Sequence, residues 1–280
     1  MVKLCKLNVS FLLLGIICLV GSCRIDIIGF LMSNDLSVRL KERKNYKFLK
    51  DKNWMVTSIG NDGYSFIVIA DTHIENRNDF GLMEKLKDII DNDSEIKFVV
   101  FSGDITQKGL ETEINKFIEI ANYVGVPCYP VIGNHDIFAG NWREWKTQIG
   151  STCYMIDGGG TSLFILDSAN AFFGKVQLDW LERELKKVPH DNKVFVFTHT
   201  NLFIKSLVDV QQFTDTKERA RVIYLLRGRC DAMFTGHLHK EVVREAGGVP
   251  YISIESFREQ GTYCRVSVEA GGIKYKTIRF

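Results

Sequence analysis

Proline is scarce in this sequence, at 4 of 280 residues, and no repeat or low-complexity block interrupts residues 52–280. A collagen-like chain, a disordered chain and an internal linker are thereby excluded. An excess of either charge is also missing, since 36 Lys and Arg stand against 34 Asp and Glu. Nucleic acid is therefore not expected as a partner held by bulk positive charge. Cysteine, at 7 residues, is too dilute for a disulfide scaffold. Cys128, Cys153, Cys230 and Cys264 match no metal-ligand spacing and read as buried thiols. The apolar run from Phe11 to Val20 is too short to cross a bilayer as a helix, which takes about 20 residues. What remains is an ordinary globular composition, long enough to bury a sizeable core without staples.

Lys3 and Lys6 precede that apolar run, and Gly21, Ser22 and Cys23 follow it. A basic start, a short apolar stretch and small residues describe a secretory signal. Val20-Gly21-Ser22-Cys23 resembles a bacterial lipobox, in which the Cys is lipidated and becomes the mature N-terminus. Residues 1–22 are expected to be a cleaved signal peptide and Cys23 a lipid anchor in the bacterial cell envelope. Residues 23–51 then read as a lipidated tether and basic extension, and residues 52–280 as a single folded domain. The alternatives are an uncleaved N-terminal membrane anchor and a secreted or periplasmic protein. Arg39–Lys52 holds seven basic residues against Glu42 and Asp51. It reads as a solvated surface segment, with attraction to anionic headgroups as the functional alternative.

Short β-branched apolar runs recur at Phe66–Ala70, Phe98–Ser102, Cys128–Ile132, Leu163–Asp167, Val194–Thr198, Ala232–Thr235, Tyr251–Ile254 and Cys264–Val268. Their length and polar borders predict buried strands. Helical periodicity marks Phe80–Asn92, Glu111–Tyr123 and Val176–Val188. Asn61-Asp62-Gly63 and Gly158-Gly159-Gly160 are turn signals, so some neighbouring strands should pair as hairpins. The expected fold is α/β, with two packed sheets and helices outside.

Five of the six histidines fall just beyond strands. The first run ends in Asp71-Thr72-His73 and the second in Gly103-Asp104. The third ends in Gly133-Asn134-His135-Asp136, the fifth in His199 and the sixth in Gly236-His237-Leu238-His239. Ligands of open α/β sheets bind beyond strand C-termini, so these loops can converge on one crevice. If the segments are extended, residues two apart point to one side, which would aim Asp71 with His73 and His237 with His239 inward. His190, in a loop after Pro189, reads as structural. The set of Asp, Asn and His suits Mn, Fe or Zn. It exceeds one tetrahedral site and suffices for two metals if one carboxylate bridges them. Two such metals can hold a hydroxide nucleophile for in-line displacement, and a phosphate ester is the natural substrate.

The ordered set Asp71-x-His73, Gly103-Asp104, Gly133-Asn134-His135-Asp136, His199 and Gly236-His237-x-His239 resembles the calcineurin-like metallophosphoesterase superfamily. The resemblance implies a four-layer α/β/β/α sandwich of two mixed sheets flanked by helices. It implies one metal on Asp71, His73, Asp104 and His239, and a second on Asp104, Asn134, His199 and His237. His135 would contact substrate and protonate the leaving oxygen, with Asp136 orienting its ring. Asn76, Arg77 and Asn201 lie near the motif loops and are candidates for phosphate contacts. Leu178, Trp180, Leu181 and Leu185 match a family helix and read as core. Gln107 stands where purple acid phosphatases place a metal-binding Tyr, so their chromophore is not expected. The implied function is hydrolysis of phosphodiesters or phosphomonoesters by a metal-bridging hydroxide. A nuclease or lipid-headgroup pyrophosphatase on this fold is the alternative enzyme, and a non-catalytic binding lipoprotein the alternative class.

Overall fold

The computed structural model describes residues 36–75, 80–203, 213 and 215–280. The chain enters through two short helices, α1 (Leu36–Arg39) and α2 (Lys47–Asp51), before strand β1 (Val56–Ile59). Then come β2 (Tyr64–Ile69), α3 (Gly81–Asp91), β3 (Ile96–Ser102), α4 (Glu111–Val124), β4 (Cys128–Val131) and α5 (Trp142–Gln148). The second half runs β5 (Tyr154–Gly159), β6 (Thr161–Ile165), α6 (Gly174–Leu185), β7 (Lys193–Phe197), α7 (Thr216–Leu226) and β8 (Ala232–Thr235). It closes with β9 (Val242–Ala246), β10 (Val249–Ser253), α8 (Phe257–Gln260), β11 (Thr262–Glu269) and β12 (Gly272–Arg279).

Seven strands form one sheet in the order β1-β5-β6-β7-β8-β10-β9, and five form another in the order β12-β11-β2-β3-β4. Both are mixed: β2, β3 and β4 run parallel while β11 is antiparallel to β2, and β6, β7, β8 and β10 run parallel while β9 is antiparallel to β10. Strands buried on both faces read as continuous apolar runs, which is why these central ones are legible. β2 is buried at every position.

Phe66 of β2 joins the sheets. Its ring stacks on Phe98 at 4.7 Å and meets Phe195 of the facing sheet edge-on at 4.9 Å, with Phe234 at 6.0 Å. Such pairs contribute about 0.5–1.5 kcal/mol each beyond their buried area. Outside one sheet, Leu86 of α3 and Ile114 and Phe117 of α4 are buried, and Phe117 packs edge-on against Phe101 of β3. Outside the other, Leu178, Leu181 and Leu185 of α6 and Val222 and Leu226 of α7 join a core with Phe164, Val194, Val196 and Met233. This is the expected sandwich of two mixed sheets between helices.

Three expectations need correction. Residues 36–51 do not form a tether: Leu36, Leu40, Phe48 and Leu49 are buried in the two cores, so the folded body begins upstream of residue 52. Arg39 is not solvated, because its guanidinium is fully buried against Asp167. The Asn61-Asp62-Gly63 turn does not close a hairpin, since β1 and β2 belong to different sheets. Gly158–Gly160 does close one, pairing β5 with β6. Cys23 and the whole N-terminal signal pattern fall within residues 1–35, which lie outside the described residues. Among the described residues no helix is long and apolar enough to cross a membrane.

Candidate metal centre

The five motif loops lie at the C-terminal ends of β2, β3 and β4 in one sheet and of β7 and β8 in the other. Bonds between loops close them around one point. His237 N–H donates to the Asp71 carboxylate at 3.0 and 3.1 Å, and His73 N–H donates to Asp104 O at 2.9 Å. Two glycines permit the approach. A Cβ on Gly103, at φ +87°, would overlap the His199 side chain, and one on Gly133 would overlap the Asp104 amide.

The extended backbone anticipated for Asp71, His73, His237 and His239 is not what aims them inward. Their φ values are +54°, +42°, +70° and +52°, and Asp104 has +47°. The chain turns left-handed at these five residues as it leaves each strand, but not at Asn134, whose φ is −71°. Five of the seven described non-glycine residues with positive φ are thus proposed ligands. Such conformations cost on the order of 1 kcal/mol or more each and persist only where surroundings enforce them.

The ligand atoms converge in overlapping groups: Asp71, His73 and His239; His73, Asp104 and His135; Asp104, His199 and His237. Within each group they lie within 4.8 Å of one another. Asn134 Oδ1 lies 3.1 Å from His199 Nε2, which brings the last of the seven expected ligands into the cluster. Asp104 is 2% exposed and belongs to two of the groups. All seven side chains thus gather in one cluster. His199 Nδ1 donates to Ser102 O at 3.1 Å and His239 Nδ1 to Glu259 at 3.0 Å, which turns each Nε2 lone pair inward. Yet ring nitrogens face each other: His199 Nε2 and His237 Nδ1 at 3.2 Å, His73 Nε2 and His239 Nε2 at 3.4 Å. Facing lone pairs need a proton or a cation between them. The donor set therefore fits divalent metals.

His135 stands at the rim. Its Nδ1 donates to Gln107 O at 2.8 Å, and its Nε2 lies 4.0 Å from Asp104 Oδ2. Asp136 does not orient this ring, which corrects the role expected for it. Its buried carboxylate instead accepts from the backbone N–H groups of Ile105, Thr106 and Gly133 and from the Thr106 hydroxyl. It ties the Asp104 loop to the Asn134 loop. Asn201 is buried, and its Oδ1 accepts from Phe203 N–H within its own turn. Asn76 and Arg77 lie outside the described residues. His190 is exposed beside Arg229, away from the cluster, as its loop position suggested. Sequence reasoning missed Arg258, which donates to His73 O at 2.8 Å, and Glu259. The Ser256-x-x-Glu259 spacing, a helix-start signal, was the available clue.

Burial drives the His73 imidazole down to about 4. Burial alone would lower His199 too, but the Asp104 carboxylate beside it lifts it to about 9. For His239 burial is likewise outweighed, here by Asp71 and Glu259, which lift it to about 10. Burial and then the Asp104 charge raise Asp136 to about 7. In metal-free protein at pH 7, protons thus occupy His199 and His239, and a metal must displace them. Mn2+ affinity is expected to rise between pH 7 and 9, by up to about tenfold per pH unit for each proton displaced. Calorimetry in buffers of different ionisation enthalpy would show the released protons; an affinity flat with pH would contradict the expectation.

Residues 64–241 match the model of the calcineurin-like phosphoesterase family. The chain is 28% identical over 196 residues to a probable glycerophosphodiester phosphodiesterase of Arcobacter nitrofigilis, covering 62% of this chain and 71% of that protein. It is 22% identical over 190 residues to a 3',5'-cyclic-nucleotide phosphodiesterase of a Nostoc species, covering 64% and 71%. In fold it is similar to a dimetal phosphatase from Danio rerio, with a TM-score of 0.59 and 14% identity, covering 78% of this chain and 99% of that one.

Proposed function

The chain belongs to the calcineurin-like phosphoesterase family, and from that premise we propose that this metal-dependent phosphoester hydrolase is a two-metal phosphodiesterase. The observation that carries the proposal is the cluster around Asp104, where seven carboxylate, amide and imidazole ligands converge beside the rim residue His135. The naming of relatives as phosphodiesterases of glycerophosphodiesters and cyclic nucleotides supports the diester reading.

In this reading Asp71, His73, Asp104 and His239 hold one divalent ion, and Asp104, Asn134, His199 and His237 hold the other. Mn, Fe and Zn all suit these donors. The bound ions supply an activated water and positive charge for the phosphate oxygens. The chain's own residues do the rest. Gln107 O fixes the His135 tautomer by accepting from Nδ1, so Nε2 is the atom that exchanges a proton with the leaving oxygen. Asp136 holds the loops that carry Asp104 and Asn134 in register.

The test is hydrolysis of bis-p-nitrophenyl phosphate against p-nitrophenyl phosphate by protein reconstituted with Mn, Fe or Zn. Preference for the diester and loss of activity with chelator are expected. His135→Ala should slow turnover about 10²–10⁴-fold while metal content stays unchanged. A preference for the monoester would overturn the diester reading. Of the basic residues in Arg39–Lys52, Arg39 is buried and Lys47 pairs with Asp51, which weakens the nuclease alternative. Signal cleavage before Cys23 and lipid anchoring in the envelope remain proposals supported by the sequence pattern.

A further inference from the structure

One end of the cluster is braced by a turn that lies beyond the family-matched residues 64–241. The single-turn helix α8 sits between β10 and β11. Its cap, Ser256, accepts from Glu259 N–H at 3.1 Å and donates through Oγ to Asp71 O at 3.1 Å. Phe257 N–H donates to Ala70 O at 2.8 Å. Arg258 Nη1 donates to His73 O at 2.8 Å and lies 3.4 Å from Glu75 Oε1. Glu259 Oε2 accepts from His239 Nδ1 at 3.0 Å. Ser256, Arg258 and Glu259 therefore serve Asp71, His73 and His239, whose backbones are all left-handed, while Phe257 holds the preceding Ala70.

We propose that Glu259 is a positioning residue for the metal held by Asp71, His73 and His239, setting its affinity separately from that of the neighbouring metal. The inference rests on the two-metal reading above. An imidazole that donates Nδ1–H to a carboxylate keeps its Nε2 lone pair on the metal side and gains basicity. His199 and His135 give Nδ1 to the backbone carbonyls of Ser102 and Gln107 instead. A carbonyl fixes the tautomer without a full negative charge, so the carboxylate adds an electrostatic contribution at His239. Glu259 is 54% exposed, so replacing its side chain opens no cavity.

The experiment titrates metal-free wild type, Glu259→Ala and Glu259→Gln with Mn2+ by calorimetry, with bound metal counted by elemental analysis. Wild type should take up two ions. Glu259→Ala should keep one at wild-type affinity and bind the other about 10–100-fold more weakly. Glu259→Gln, which can still accept from Nδ1–H but carries no charge, should fall between. Circular dichroism spectra of the three metal-free proteins should coincide. Two ions bound by Glu259→Ala with wild-type affinities would overturn the proposal, as would equal weakening of both ions with an altered spectrum. A wild type that binds fewer than two ions would overturn the two-metal reading, and the proposal with it.

Discussion

Asp104→Asn is expected to cut hydrolysis of bis-p-nitrophenyl phosphate by about a thousandfold or more while leaving the fold intact. Asp104 Oδ1 accepts from His135 N–H at 2.8 Å, and Oδ2 lies 3.2 Å from His199 Nε2. An Asn has the same shape and keeps the first bond. It loses the negative charge between the two ligand groups, and its NH2 would face a ring nitrogen or a metal. A bound metal contributes several kcal/mol of charge stabilisation, and about 1.4 kcal/mol is tenfold in rate, which sets the magnitude. Metal content should fall from two ions to one or none by elemental analysis. Circular dichroism should show an unchanged fold. Activity within tenfold of wild type would contradict a bridging role for Asp104.

The second large effect is on stability and comes from the N-terminal segment. Arg39 Nε donates to Asp167 Oδ2 at 2.7 Å and Nη2 to Oδ1 at 2.8 Å, with neither side chain exposed. Nη2 also donates to Asn170 Oδ1 at 2.7 Å. Removing one partner of such a pair leaves a buried charge behind, at a cost of about 3–5 kcal/mol. Arg39→Met is expected to lower the melting temperature by roughly 10 °C, taking 2–4 °C per kcal/mol for a domain of this size. Replacing both partners, Arg39→Met with Asp167→Leu, should recover much of the loss, because the charge is then gone too. Calorimetric melting of the single and double variants checks both. The loss would reach the metal centre, since Ser168, next to Asp167, bonds Thr198 and Thr200 on either side of His199. A single variant that melts with wild type would show that the pair contributes nothing.

Much of this was legible in the chain. Phe66–Ala70 and Ala232–Thr235 announced buried strands because both faces of each are covered. β9 and β12 sit at sheet edges, and stretches such as Val242–Ala246 and Gly272–Arg279 alternate with charge in a way that a search for apolar runs passes over. Helix α7, with Lys217, Glu218, Arg219 and Arg221, hides a narrow apolar stripe of Val222 and Leu226. Arg39 looked like one more basic surface residue, and only its partner 128 positions away reveals otherwise. The motif residues were readable because their chemistry is ordered along the chain. Their left-handed backbone was not, since positive φ is uncommon outside glycine, and here it rests on support from outside the motif. Arg258 and Glu259 belong to that support and carry no motif of their own. The role first expected for Asp136 failed for a related reason: adjacency in sequence to His135 did not translate into contact.

The order of the five-stranded sheet governs when the molecule can come into being. β11 inserts between β2 and β12, pairing Cys264 with Val68, so β2 lacks a neighbour on one side until residues 262–269 have been synthesised. A ribosome-bound chain lacking residues 256–269 would have every ligand motif but neither the strand that closes the sheet nor the turn that supports Asp71 and His73. Pairing so distant in sequence is slow to form and leaves an open edge exposed meanwhile. A chain cut before β11 is therefore expected to be an aggregation-prone intermediate in place of a weaker enzyme.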